Sequence, residues 1–211
     1  MKRLRLSVCV LVLMSGNTPV LAQIGLDKWL AMAAEVEPGQ PIYKDGSKFV
    51  VHSKNAGVKS SDGWYRAKST DGEFEIQFPA QITDATVEMH DPINATQAFM
   101  TALTDTTSYV STCARVTNIQ IPASQIPQLV QQMTEDLADL KSAPFSRGAV
   151  KGYRYSGLRN GGIHVRGEMF ALNGRLCYSM VGQVDHEPDD ADKVFASFRP
   201  SARTKSQSPP R

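Results

Sequence analysis

The sequence predicts an α+β fold: a largely antiparallel β-sheet, roughly five to seven strands wide, with helices packed on it. Three observations predict it. Asn160-Gly161 and Asn173-Gly174 punctuate residues 148–184 and join three strands into a meander, Asn-Gly being the strongest short hairpin signal. Ile126, Leu129, Val130, Met133, Leu137 and Leu140 recur at helical spacing over 125–141. Ala191, Val194, Phe195 and Phe198 do the same over 189–198. A chain of 211 residues, 41% hydrophobic and 21% charged, suits one domain with appendages and not a disordered polymer.

Residues 1–22 have the form of a cleavable export signal. Lys2, Arg3 and Arg5 precede an apolar run from Leu6 to Met14, and Val20-Leu21-Ala22 supplies a small-residue cleavage pattern. The run falls short of the ~20 residues that span a bilayer, and no later stretch is apolar enough to be a membrane helix. Cys9 lies inside the run and not behind a cleavage box, so a lipid anchor is not indicated. The mature protein is expected to begin near Gln23, periplasmic or secreted. Two cysteines then remain, Cys113 and Cys177, 64 positions apart and both in strand-like segments. In an oxidising compartment they are either a disulfide or two buried, unreactive thiols.

Residues 23–62 read as a poorly packed N-terminal extension. A short amphipathic helix is expected over 24–36, ended by Pro38-Gly39 and Pro41, and only Phe49-Val50-Val51 resembles a strand. The main domain is expected over 63–200. Trp64–Lys68 and Glu73–Phe78 alternate around the turn Ser69-Thr70-Asp71-Gly72, and Pro79 stops the second strand. Further strands are expected at 84–90, 96–103 and 107–118. Ser124 can N-cap the 125–141 helix, Pro127 is tolerable in its first turn, and Pro144 is expected to end it. Asp189, Asp190 and Asp192 suit the positive N-terminus of the last helix. Residues 201–211 have nothing to bury and read as a disordered basic tail.

Charge excludes one class of partner. Six of the 23 basic residues lie in 1–22 and 201–211, and none of the 21 acids do, which leaves residues 23–200 with 17 basic residues and a net charge of −4. A nucleic-acid surface needs a basic stripe on the domain itself. The glycines at 157, 161, 162 and 167 lie in a hairpin, so neither a P-loop nor a dinucleotide fingerprint is present and no cofactor is implied.

The order of signals resembles a widespread set of exported bacterial proteins of unknown role. The resemblance rests on Trp64, the Ser69-Thr70-Asp71-Gly72-Glu73-Phe74 turn, Phe78-Pro79 and the closing Phe195-Ala196-Ser197-Phe198, and it covers residues 62–200. It implies the PsbP-like α/β/α sandwich and supplies no active site.

The chemistry-bearing residues are few. If both Asn-Gly turns hold two residues, register follows, and Tyr153, Tyr155, His164, Arg166 and Glu168 converge on one mixed sheet face. Aromatic residues with Arg have the composition of a binding hot spot; the plainer reading is a solvated outer face with cross-strand pairs such as Tyr155–Arg166. His186-Glu187-Pro188-Asp189-Asp190 concentrates metal-ligand types but lacks the alternation and central Gly of a calcium loop, and reads as an acidic helix start. No G-x-S-x-G elbow is present. The leading expectation is a non-enzymatic binding or accessory protein whose partner is an envelope protein or a small ligand. The rival is a small exported hydrolase or thiol enzyme using Cys177 with His164 as base. A third is a structural module whose tail docks on an anionic envelope polymer.

Overall fold

A computed structural model describes residues 33, 35–44, 46–90, 94–117 and 121–201. The export signal, most of the 24–36 helix and the tail beyond Ser201 lie outside the described residues. Among those described, thirteen strands and two short α-helices make a mainly β protein, in which the expected antiparallel sheet dominates and the helices are minor. The strands are β1 (Pro41–Lys44), β2 (Ser47–Ala56), β3 (Val58–Lys59), β4 (Tyr65–Lys68), β5 (Phe74–Phe78), β6 (Ile82–Met89) and β7 (Ala95–Leu103). They continue with β8 (Thr107–Val116), β9 (Leu137–Arg147), β10 (Val150–Arg159), β11 (Ile163–Leu172), β12 (Arg175–Val184) and β13 (Arg199–Pro200). The helices are α1 (Ile126–Met133) and α2 (Ala191–Ser197). A nine-stranded antiparallel sheet runs β1-β2-β6-β7-β8-β12-β11-β10-β9, and a small sheet runs β13-β5-β4-β3.

Each face of the large sheet is covered differently. On one face α1 buries Ile126, Leu129, Val130 and Met133 against Tyr155, Val165, Met169 and Met180. Farther along that face Ala33 and Val36 pack on Phe49, Val51 and Phe99. The opposite face is covered mainly by the small sheet, through Phe74, Ile76 and Phe78, together with Ala191, Val194 and Phe195 of α2. A helix-only covering of both faces is therefore not what this chain builds.

Two expectations about elements are corrected. The extension is not poorly packed between 41 and 56: β2 pairs with β6 along its length, and Phe49 and Val51 are wholly buried. Lys48, Ser53 and Lys54 of β2 fall where the strand is only partly covered and Asn55 is exposed, which hides the alternation. The 125–141 helix stops at Met133. Residues 137–147 pair along β10, so the chain leaves the helix before them. Thr134 closes the helix with its hydroxyl on the Val130 carbonyl at 2.7 Å, and Asp136 accepts from Arg159 Nε at 2.6 Å. The chain then enters β9, where Leu137 still packs under α1 but Leu140 is exposed. Pro144, expected to end a helix, lies inside this edge strand, where a missing N–H is tolerated.

The Phe195-Ala196-Ser197-Phe198 signature has a packing role. Ser197 Oγ accepts from Gln77 N at 3.0 Å and donates to Val194 O at 2.7 Å, which pins α2 to β5. Phe198 meets Phe74 edge-on at 5.0 Å and Phe170 at 5.5 Å.

Candidate functional site

The second Asn-Gly turn behaves as expected and the first does not. Leu172 faces Arg175 across Asn173-Gly174, and both turn residues have positive φ, as a two-residue hairpin of this kind requires. Between β10 and β11 the closing pair is Arg159 and Ile163, so the loop holds three residues, Asn160, Gly161 and Gly162, with both glycines at positive φ. The extra residue slips the register by one, and a one-residue slip turns every side chain to the other face.

Consequently the five residues expected on one surface are divided between two. Tyr155 pairs with Gly167 and Tyr153 with Met169, on the face covered by α1. Tyr155 is 4% exposed, its ring occupies the space a Cβ at Gly167 would need, and burial raises its phenol pKa. Tyr153 stays half-buried. His164, Arg166 and Glu168 lie on the opposite face. Arg166 Nη2 is 2.7 Å from Asp192 Oδ1 of α2, and His164 Nδ1 is 3.7 Å from Glu187 Oε1. The expected Tyr155–Arg166 cross-strand pair does not form.

Cys113 and Cys177 are directly opposite on β8 and β12 and form a disulfide. Both side chains are buried, Cys177 completely. His164 pairs with Gln183, six positions along β12 from Cys177, or about 20 Å at ~3.3 Å per residue. A thiolate at Cys177 with His164 as its base is therefore not assembled here. The acidic helix start is as expected: Asp190 is the N-cap residue of α2, and its Oδ2 accepts from Tyr109 OH at 2.6 Å. That contact and burial raise the Tyr109 pKa, burial being the larger cause.

What the register does bring together is a cationic and aromatic edge. β9 is the terminal strand of the large sheet, eleven residues long and exposed over most of them. From Leu137 to Arg159 the chain carries Lys141, Arg147, Lys151, Arg154 and Arg159 against a single acid, Asp139. Glu168, wholly buried beside this edge, accepts from Arg147 Nη1 at 2.9 Å and Arg154 Nε at 2.7 Å. A buried carboxylate needs such partners, and two guanidiniums on one carboxylate leave a surplus positive charge. Both guanidiniums lie over the Phe145 ring, at 5.6 and 5.4 Å from its centre. Arg154 is half exposed, and Arg147 Nη2 is buried with no hydrogen-bond partner among the described residues. On the other face of the same two strands an open groove of about 410 Å³ is lined by Ala123, Pro144, Ser146, Lys151 and Tyr153. Of the five residues singled out from sequence, Tyr153 and Glu168 belong to this edge. Arg147, Lys151, Arg154 and Phe145 were missed; the clustering of basic residues over 141–159 in a net-acidic body was the signal that pointed to them.

A second polar cluster lies across the sheet. Thr70 donates its N–H at 2.9 Å and its hydroxyl at 2.5 Å to Asp84 Oδ2. Thr86 Oγ1 donates to Asp71 Oδ2 at 2.7 Å, so it accepts from His52 Nε2 at 2.8 Å. These bonds fasten the β4–β5 turn to β6. Asp84 is 3% exposed with Oδ1 unpartnered, and burial raises its pKa.

Among the described residues no helix is long and apolar enough to cross a membrane. No family model and no curated protein matches the chain. Among solved structures it is similar to the solution structure of cyanobacterial PsbP from Synechocystis sp. PCC 6803, with a TM-score of 0.41 and 12% identity over 69% of this chain and 95% of that one.

Proposed function

We propose that this chain is an exported, non-enzymatic binding or accessory protein that engages its partner through the β9–β10 edge. One observation carries the reading: on a body of net charge −4, the terminal edge of the sheet concentrates four basic residues, Lys141, Arg147, Lys151 and Arg154, and stacks two of them on Phe145. Arginine with aromatic rings is the composition of binding hot spots, and charge opposite to the rest of the surface selects and orients a partner. The Cys113–Cys177 bridge favours an oxidising compartment, periplasmic or extracellular, as the leader-like residues 1–22 do. Arg166, expected to anchor the partner, is engaged by Asp192 instead and contributes less.

A photo-crosslinking residue placed at Lys151 in the cell tests this, with the same residue at His90 on the far side of the sheet as control. A discrete adduct from position 151 and none from position 90 is expected. An adduct from position 90 alone would overturn the choice of edge.

A further inference from the structure

The β9–β10 edge combines three features that together specify what fits it. The first is backbone: β9 ends the sheet order, so its outer side has no neighbouring strand among the described residues. The second is charge concentrated on one face, with Lys151 alone of the four edge cations on the other. The register places Lys141, Arg147 and Arg154 on the face that holds Glu168, because Arg147 is level with Val150, Lys141 with Ser156, and Arg154 with Glu168. Lys141 is exposed and makes no ion pair among the described residues. The third is a largely apolar groove on the opposite face, lined by Pro144, Tyr153 and Ala123 together with Ser146 and Lys151.

From these features, and resting on the edge reading above, we infer that the edge receives an extended acidic peptide segment of a partner protein, added as a further strand beside β9. Its side chains alternate between acidic and apolar. A strand turns successive residues to opposite faces, so every second residue of the guest meets the guanidinium and ammonium groups. The residues between them face the groove. Arg147 and Arg154 each bond Glu168 through one nitrogen, and half-exposed Arg154 keeps further donors to receive a second carboxylate. Glu168 holds both guanidiniums in place before the guest arrives, which lowers the ordering cost of binding. Pro144 removes one backbone donor, so pairing is expected to be strongest on either side of it.

Other occupants are disfavoured by the same charges. A second copy would set Lys141 and Arg147 against their own equivalents. Residues 1–32 carry Lys2, Arg3, Arg5 and Lys28 against Asp27 alone, and residues 202–211 carry no acid, so neither end complements a basic edge.

Binding of a labelled octapeptide that alternates Glu and Val tests the inference, using the mature protein with its disulfide intact. Three comparison probes are a Gln-for-Glu version, a version with alternate backbone nitrogens methylated on the side facing β9, and dextran sulfate. The Glu–Val peptide is expected to bind, and the Gln and N-methylated versions to bind weaker by about tenfold or more. Lys141→Glu, a change at an exposed residue with no ion-pair partner among the described residues, is expected to weaken the Glu–Val peptide by a similar factor; Arg154→Glu should do more if it folds. Equal binding of the N-methylated peptide would overturn strand addition. Tighter binding of dextran sulfate, lost in Lys141→Glu, would overturn the peptide class in favour of an anionic polysaccharide. Concentration-dependent dimerisation of the parent without binding of the Glu–Val peptide would overturn it in favour of a second copy. If position 151 crosslinks a partner while the Glu–Val peptide fails to bind, this inference falls and the edge reading stands. If neither occurs, both fall.

Discussion

Tyr155 and Gly167 show how one residue's size sets a neighbour's place. The Tyr155 ring lies where a Cβ on Gly167 would come within 2.3 Å of its Cζ, so β11 needs glycine opposite a tyrosine that α1 covers. Gly167→Ala is expected to destabilise the protein by about 1–3 kcal/mol through overpacking, read as a lower urea midpoint. An unchanged midpoint would mean that Tyr155 is not seated there. Asp84 makes the opposite kind of demand. Burial raises its pKa above 3.8, so the folded state holds this proton more tightly than the unfolded chain. Its contribution is present at low pH and is lost as pH rises through the folded value. Asp84→Asn keeps an acceptor for Thr70 and removes the titration. The variant is expected to lose less stability than the parent between pH 4 and 7, measured by paired thermal melts, and a parallel loss in both proteins would contradict this. Asp62 behaves conversely: the Lys193 ammonium, with Ser60 and the Trp64 N–H, holds it down to about 2, so what it contributes disappears only as pH falls from 3.8 toward that value.

Among the elements, those whose information is local were legible. The β4–β5 and β11–β12 hairpins follow from Asp71-Gly72 and Asn173-Gly174, and β6, β7 and β8 lie within two residues of their expected bounds. The β10–β11 register was not legible, because Asn160-Gly161-Gly162 permits either a two- or a three-residue loop and the alternation of β10 suits both faces. β9 was hidden for a different reason. Leu137 and Leu140 continue the stripe of α1, and only the edge of β10 gives residues 137–147 a reason to extend. Neither α1 nor the position of Pro144 could reveal that from a distance. The disulfide tied to β8 and β12 was open from sequence, since two cysteines 64 positions apart meet only if their strands are neighbours. Replacing both cysteines with alanine is expected to cost about 2–5 kcal/mol, seen as a lower denaturation midpoint, with the sheet retained in the circular dichroism spectrum. A midpoint within about 0.5 kcal/mol of the parent would show that the bridge does not restrain the unfolded chain.

At the scale of the whole molecule, the sequence supports an expectation of class and no more. The net charge and the absence of familiar catalytic motifs pointed to a binding or accessory role, but the surface assigned to it depended on a register that the first loop alters. The three-dimensional arrangement moves the argument from Arg166, engaged by α2, to Lys141, Lys151, Arg147 and Arg154 at the end of the sheet. Such an edge is also a hazard: an exposed terminal strand invites pairing, and Pro144 and the flanking lysine and arginine limit it. On this reading a partner docks at the β9–β10 edge. The most direct measurement is an affinity capture of the mature protein from cross-linked cells, run beside a Lys151→Glu/Arg154→Glu variant whose melting curve shows it folded. A stoichiometric partner held by the parent and lost from the variant is expected; the same partner held equally by both would place the docking surface elsewhere.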